Sequence, residues 1–189
     1  MDRALQLKKV NTHWTQKCQC SLRDTATQAV LGDGSVDAQI FFIGEAPGKK
    51  EDEQGVPFIG AAGKFLDGLL ASIHLKREVV YITNIVKYRP PDNRDPSPDE
   101  ILACLEWLTE EIRIINPKII VTLGRHAMNH FLPLAKISEV HGEPIRKNVF
   151  GLGERHILPL YHPAAALYNG GLRVTLLKDF QEIPKLLKI

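Results

Sequence analysis

The chain has 189 residues, and its 24 Lys and Arg against 22 Asp and Glu give a formal net charge of +2 at pH 7. This length predicts a single domain, residues 1–189, with a buried core, and the near-balance of charge neither requires nor excludes a nucleic-acid partner. Three cysteines argue against a disulfide framework and favour a reducing compartment. The start lacks the apolar core of a signal peptide, and the longest apolar runs have strand length, so we expect a soluble cytoplasmic protein without a membrane span.

Short apolar runs alternate with segments of helical periodicity along the chain. The predicted strands are 38–43, 79–83, 119–123 and 156–160. The predicted helices are 3–16, 61–73, 97–115, 124–132 and 172–187, the last with a break near Pro184. Residues 32–34 predict a turn, 85–96 a basic loop and 138–154 a hairpin-like excursion. The alternation favours an α/β protein whose parallel sheet is covered on both faces.

A glycine-rich loop, residues 44–48 (Gly-Glu-Ala-Pro-Gly), directly follows the first predicted strand. Open α/β sheets bind ligands at the carboxyl ends of their strands, so this loop is the candidate ligand site. A nucleotide phosphate loop is a poor match, because that motif needs one more residue between its glycines and Ser or Thr at the position of Lys50. Asn84 ends the second predicted strand, and we expect it to lie beside the loop.

Three ordered motifs carry a resemblance to a known family. They are 44–63 (with Gly-Glu-Ala-Pro-Gly and Pro-Phe-Ile-Gly), 84–94 (with Asn-Ile-Val-Lys and Arg-Pro-Pro) and 161–165 (Tyr-His-Pro-Ala-Ala). Together they resemble the motifs of family 4 uracil-DNA glycosylases, over roughly residues 10–180. The resemblance implies a three-layer α/β/α sandwich with a central four-stranded parallel sheet and a DNA groove across the strand ends. It also implies hydrolysis of the N-glycosidic bond of uracil in DNA, which starts base excision repair.

Such an enzyme flips the nucleotide into a pocket and stabilises the negative charge that develops on the departing uracil. The resemblance implies that His162 donates a hydrogen bond to uracil O2 and that uracil stacks on Phe58. Asn84 suits base selection, because its carboxamide can accept from N3–H and donate to O4, whereas cytosine reverses both groups. A loop histidine, a core phenylalanine and a turn asparagine are the ordinary alternatives, and the surrounding motifs favour the functional interpretation.

The loop around the base and the DNA contacts are further expectations. Backbone amides near Glu45, Ala46 and Gly48 are expected to form a wall of the uracil pocket. Ala46 stands where family 1 enzymes carry an aspartate, and the resemblance gives Glu51 the task of positioning water or excluding the thymine methyl group. The expected DNA contacts, including a wedge that enters the minor groove and has Leu167 at its tip, are Lys87, Arg89, Asn93, Pro163, Ala164 and Leu167.

The cysteines depart from the family pattern. The resemblance implies a four-iron, four-sulfur cluster on four cysteines, and Cys20 and Cys104 match two of those positions while Lys17 and Tyr88 occupy the other two. Two thiolates do not complete the usual four-cysteine ligation. Cys18 could shift in as a third ligand, whereas the position of Tyr88 has no obvious substitute. We therefore expect no cluster, and no metal or other cofactor. A zinc site from both N-terminal cysteines and a histidine lacks a proper second pair.

The sequence therefore predicts a monomeric, monofunctional uracil-DNA glycosylase of prokaryotic type that acts on uracil-containing DNA without a cofactor. Packing and hydrogen bonds of Lys17, Tyr88 and two helices are expected to replace the cluster in joining the amino-terminal segment to residues 85–104. The alternative is an inactive glycosylase-like module that binds DNA or a protein. The retained His162, Asn84 and Phe58 argue against it, because a binding module has no need of a uracil pocket.

Overall fold

The computed structural model describes residues 2–188. The helices are α1 (Arg3–Lys17), α2 (Lys49–Gln54), α3 (Ala61–Ser72), α4 (Pro98–Ile115), α5 (Arg125–Phe131), α6 (Ile137–Val140), α7 (Pro163–Tyr168), α8 (Gly170–Phe180) and α9 (Glu182–Leu187). The strands are β1 (Asp33–Gly34), β2 (Ile40–Gly44), β3 (Tyr81–Asn84), β4 (Ile119–Leu123), β5 (Ile145–Asn148) and β6 (Glu154–Leu160). Strands and helices alternate as the sequence predicted.

Within residues 2–188 the strands form one sheet in the order β1-β3-β2-β4-β6-β5. The inner strands β3, β2, β4 and β6 are parallel, which confirms the predicted central four-stranded parallel sheet. The short β1 and β5 pair antiparallel at the two edges. Residues 33–34, expected only as a turn, therefore extend the sheet, and β5 with β6 forms the expected hairpin-like excursion.

The two faces of the sheet carry separate cores, because successive side chains of a strand point to opposite faces. In β2, Phe41 and Ile43 belong to a core shared with α1 and α4. Ile40 and Phe42 belong to a second core shared with α3, α8 and α9. The result is a three-layer α/β/α sandwich, and the carboxyl ends of the parallel strands remain free for a ligand site.

Helix α4 shows how local sequence fixes an element. Ser97 accepts a hydrogen bond from the Glu100 amide, and the Glu100 carboxylate accepts one from the Ser97 amide, which forms the predicted capping box. The helix ends at Asn116, whose φ of 52° is left-handed.

Two segments differ from expectation. Residues 49–54, for which no helix was predicted, form α2, and the carboxy-terminal break lies at Gln181 instead of near Pro184. Pro184 is tolerated in α9 because it lies in the first turn, where a backbone N–H would have no intrahelical partner. Among the described residues, no helix combines the length and hydrophobicity needed to cross a membrane.

Candidate active site

A pocket of about 320 Å³ opens at the carboxyl ends of the parallel strands. The loops after β2, β3 and β6 supply most of its walls, as expected for an open α/β sheet. Its lining residues are Glu45, Ala46, Pro47, Gly48, Glu51, Phe58, Ala62, Asn84, Pro90, Asn93, Arg94, Asp95, His162 and Ala164. The structure therefore brings residues from all three sequence motifs to one cavity.

Asn84 ends β3 on the pocket wall and is 2% exposed. Its Oδ1 has no hydrogen-bond partner within residues 2–188. A buried acceptor without a partner costs free energy, so its position points to a ligand that donates a hydrogen bond there. The β carbon of a residue at position 44 would lie 2.4 Å from this oxygen, so Gly44 keeps the approach to the carboxamide free.

Phe58 forms another wall in a strained backbone conformation. Its φ of 52° is left-handed, which is costly for a bulky aromatic residue and is typical of functional sites. Its ring centroid lies 5.7 Å from that of His162, with an interplanar angle of 30°. Gly63 permits this loop, because a β carbon there would lie 1.8 Å from the Phe58 carbonyl oxygen. The ring is therefore held over the pocket by its surroundings.

His162 caps the amino end of α7 and has a defined tautomer. Its Nδ1 accepts a hydrogen bond from the Ala164 amide at 3.1 Å, so the proton of the neutral ring lies on Nε2. Burial lowers the pKa of His162 to about 4, so the ring is neutral near pH 7. The side chain can therefore donate a hydrogen bond from Nε2 without carrying a charge.

Glu51 and Arg77 hold the Phe58 loop from two sides. One Glu51 oxygen, Oε1, accepts from the Ile59 amide at 3.0 Å and from the Gly60 amide at 2.8 Å, while its carboxylate also reaches the pocket lining. Arg77 donates to the carbonyl oxygens of Phe58, at 3.0 Å, and of Pro57. Sequence reasoning missed Arg77, because its loop partners lie about 20 residues away in the chain.

A charged group lies at the rim of the pocket. Glu45, Asp95 and His126 each offer one side-chain atom that could bind a metal ion, and these three atoms lie within 4.8 Å of one another. Arg125 donates to His126 at 3.0 Å and to Asp95 at 3.3 Å, so a guanidinium supplies positive charge here. Burial raises the pKa of the Glu45 carboxyl above its usual value, and His126 partly opposes that shift. The sequence analysis did not single out Asp95, Arg125 or His126.

Lys87 was predicted to contact DNA phosphate, and this prediction is wrong. The side chain is fully buried, and Nζ donates to Thr83 Oγ1, to the Asn84 carbonyl oxygen and to Glu111 Oε2. The pattern of apolar and polar residues did not predict the burial of Lys87, because its charge partner Glu111 lies 24 residues further along the chain. Lys87 is part of the core beneath the pocket.

The remaining candidate DNA contacts fall into two groups. Arg89 donates to Asn93 Oδ1 at 2.8 Å, and this pair lies on the surface loop beside the pocket. Ala164 lines the pocket, and Leu167 on α7 is 37% exposed. Pro163 is buried at the first position of α7, so the prediction of a direct DNA contact is wrong for this residue. Its fixed φ instead favours the start of the helix.

The three cysteines lie together between α1 and α4. Cys18 Sγ lies 3.9 Å from Cys104 Sγ, and Cys20 donates to the carbonyl oxygen of Glu100 at 3.7 Å. Tyr88 is buried beside them, and its hydroxyl has no hydrogen-bond partner in the described part of the chain. Lys17 is exposed, so its expected role in this packing is wrong. The third side chain beside Cys18 and Cys20 is a cysteine and not the histidine of the zinc alternative.

This donor set differs from four thiolates, because a phenol occupies the fourth position. Two of the thiol sulfurs are also in contact, whereas a cluster holds its ligand sulfurs apart on separate irons. Burial, and then the Cys18 thiol, raise the pKa of Tyr88 to about 12, which opposes a phenolate ligand. Because of these contacts, the three cysteines and Tyr88 do not fit the four-cysteine cluster.

The comparisons with known proteins agree with the fold. A family model for the uracil DNA glycosylase superfamily matches residues 31–188. The type-4 uracil-DNA glycosylase of Saccharolobus solfataricus is 47% identical over 179 residues, covering 91% of this chain and 82% of the relative. The type-4 enzyme of Sulfurisphaera tokodaii is 46% identical over 188 residues, covering 95% and 84%. The type-4 enzyme of Thermotoga maritima is 40% identical over 188 residues, covering 97% and 96%.

The chain therefore belongs to the uracil DNA glycosylase superfamily. Within it, the resemblance to the type-4 enzymes that the three motifs indicated is confirmed.

Proposed function

We propose that this chain removes uracil from DNA in the pocket at the strand ends, as a monomeric, monofunctional glycosylase. The predicted activity, a hydrolase that acts on N-glycosyl bonds, is confirmed by the type-4 relatives and the superfamily match. The relatives therefore argue against the alternative of an inactive binding module. All strands of residues 2–188 join one sheet, which supports a single domain over residues 1–189. A DNA substrate also supports an intracellular location.

The residue roles rest on one observation. An unpartnered carboxamide oxygen on Asn84, the ring of Phe58 and the imidazole of His162 all face the same pocket. Uracil offers the matching groups, because it has a flat ring, a donor at N3 and acceptors at O4 and O2. We assign base reading to Asn84, stacking to Phe58 and the hydrogen bond to O2 to His162.

The reaction then follows from charge. As the bond between C1′ and N1 breaks, its electron pair moves onto uracil and the sugar gains oxocarbenium character. Water adds its oxygen to C1′ and loses one proton to solvent, and the departing uracil anion takes up one proton, so the products are an abasic site and free uracil. A neutral His162 that donates from Nε2 stabilises the charge on O2, because a preorganised donor in a dry site is worth about 3–4 kcal/mol. No covalent intermediate with the protein is required.

Glu51 receives a narrower role than the resemblance implied. Because its Oε1 already holds the amides of Ile59 and Gly60, we assign it to positioning the Phe58 loop. The backbone of Glu45, Ala46 and Gly48 forms the opposite wall. Positioning of water or exclusion of the thymine methyl group, which the resemblance gave to Glu51, stays a prediction.

DNA contact is assigned to the exposed part of the rim. Asn93 lines the pocket and bonds to Arg89, and Ala164 lines it three residues before the exposed Leu167, so we propose that a duplex lying across the pocket contacts both segments. Leu167 is our candidate for the residue that fills the gap left by the flipped base.

We further propose that the protein works without the iron–sulfur cluster. Direct bonds join the segments that a cluster would join, since the Cys18 thiol donates to the Ala103 carbonyl and Trp107 Nε1 donates to Asn11 Oδ1 at 2.9 Å. The test is analysis of iron and acid-labile sulfide in anaerobically purified protein, together with its visible absorption. Stoichiometric iron and sulfide would contradict the proposal.

The activity itself is tested with a labelled DNA strand that carries one uracil, in excess chelator. We expect alkali-labile breaks at uracil, and their loss in Asn84→Ala and His162→Ala. A strand with cytosine in place of uracil is the matched substrate control. Folded protein that leaves uracil intact in single-stranded and double-stranded DNA would contradict the proposed function.

A further inference from the structure

A buried ion pair lies directly behind the base-reading residue. Lys87 Nζ and Glu111 Oε2 are 2.5 Å apart, and both side chains are 0% exposed. Glu111 lies on α4 and Lys87 lies three residues after Asn84, so the pair joins the helix to the end of β3. Neither side chain reaches the pocket, and the reaction described above uses neither.

The pair is fully bonded to the strand that carries Asn84. Lys87 donates to the Asn84 carbonyl oxygen at 2.9 Å and to Thr83 Oγ1 at 2.5 Å. Glu111 in turn accepts from Tyr81 and Thr83, each at 3.2 Å. The ammonium therefore has three acceptors and both carboxylate oxygens have donors, and apart from Lys87 and Glu111 themselves all of these partners lie in β3.

Stability alone does not explain such a pair. Burying two charges costs desolvation free energy, and well-packed apolar residues in their place are often equally or more stabilising. What an apolar pair could not do is hold the Asn84 carbonyl by a charge-assisted hydrogen bond. This bond fixes the backbone from which the carboxamide projects, in the narrow space above Gly44.

We propose that Lys87 and Glu111 are positioning residues for base recognition, which set the direction of the Asn84 carboxamide and thereby the selection of uracil. The inference rests on the proposed base-reading role of Asn84. Misplacement of a recognition group by about 1 Å can cost roughly 100-fold in rate, so a small backbone shift suffices. The pair then acts on substrate choice from below the pocket, without touching the substrate.

The test compares the double variant Lys87→Met, Glu111→Met with Ile115→Ala. Ile115 is buried one turn after Glu111 on the same helix, so Ile115→Ala is a matched control for lost core stability. For each we would measure thermal unfolding, the single-turnover rate on uracil DNA and the inhibition constant of free uracil. The last quantity reports recognition of the base and is insensitive to a merely structural change elsewhere.

We expect the double variant to unfold near the wild-type temperature, with a rate reduced roughly 10- to 100-fold and weaker inhibition by uracil. Ile115→Ala should lose stability and keep the wild-type inhibition constant. A folded double variant with wild-type rate and inhibition constant would overturn the inference. If the double variant does not fold, Lys87→Met decides by the same two measurements, because it removes the bond to the Asn84 carbonyl while Glu111 keeps its hydrogen bonds from Tyr81 and Thr83.

The variant Asn84→Ala distinguishes the base-reading role of Asn84 from the positioning role of Lys87 and Glu111. If Asn84→Ala leaves the rate and the inhibition constant unchanged, the proposed base-reading role fails and the positioning role fails with it. If Asn84→Ala lowers both while the double variant lowers neither, only the positioning role is wrong.

Discussion

Asn84 and Tyr88 are four residues apart, yet they belong to regions that match the family motifs to different degrees. Around Asn84, the pocket keeps each residue type that the glycosylase motifs lead one to expect, including Phe58 and His162. Around Tyr88, the layer between α1 and α4 has cysteine at only two of the four positions that the family resemblance implies. This layer contains three thiols, a phenol and Trp107. The pocket residues therefore follow the family motifs, and the residues of the layer do not.

The difference follows from what each region must do. The pocket has to place particular donors and acceptors against one small ring, so a change of atom type leaves a buried group unpaired. The layer has to join two segments, which many combinations of volume and hydrogen bonds can do. Lys87 lies between the two regions and connects them through its bond to the Asn84 carbonyl.

The largest expected effect is that of His162→Ala. Without the donor to uracil O2, the single-turnover rate should fall by about 10²–10³-fold, while the fold is retained. His13→Ala is the control, because His13 is exposed on α1, away from the pocket. A folded His162→Ala protein with more than about a tenth of the wild-type rate would show that another group stabilises the leaving base.

Gly44→Ala should be the next most damaging change. Its β carbon would lie 2.4 Å from Asn84 Oδ1 and 2.5 Å from the Phe58 ring, so it would displace both groups. We expect a loss of roughly 100-fold in rate and of about 1–3 kcal/mol in the free energy of unfolding.

Gly68→Ala is the matched control, because no atom lies within 4 Å of a β carbon there. In the middle of α3 it should raise the free energy of unfolding by about 0.5–1 kcal/mol and leave the rate unchanged. Equal rates for Gly44→Ala and Gly68→Ala would remove the argument that Gly44 clears the pocket.

Changes in the thiol layer should alter stability more than activity. Tyr88→Phe removes a buried hydroxyl without a described partner, so the free energy of unfolding should rise by about 1 kcal/mol at an unchanged rate. Tyr88→Ala should lose about 3–5 kcal/mol through the cavity that it creates. Chemical denaturation measures both. Destabilisation by Tyr88→Phe would mean that the hydroxyl has a partner, and iron analysis of the same protein would show whether that partner is a metal.

The smallest effect concerns pH. Since the pKa of His162 is lowered to about 4, the ring should stay neutral well below the usual range, as an NMR titration assigned with His162→Gln would show. In the unfolded chain, His162 takes up a proton near the ordinary pKa of histidine, whereas in the folded protein its ring stays neutral at that pH. The contribution of His162 to stability is therefore complete above about pH 6.5 and is lost as the pH falls towards 4. A ring that titrates near 6.5 in the folded protein would contradict the burial argument.

The sequence by itself predicted the carboxyl ends of the strands, the capping box of α4 and the motif residues that line the pocket. These depend on local signals: apolar runs, glycine and proline in turns, and a serine followed by a glutamate three residues later. Because parallel strands end at one edge of the sheet, Asn84 and His162 could also be expected to line the same pocket.

Only the tertiary structure decided that Lys87 lies in the core, that Cys18 is buried while Lys17 is exposed, and that Arg77 holds the Phe58 loop. Each of these outcomes depends on a partner about 20 or more residues away, as Glu111 is for Lys87. Periodicity along the chain contains no information about such a partner. The burial of a charge or a thiol is set by what another element brings to it, and so it becomes visible only once the elements have packed.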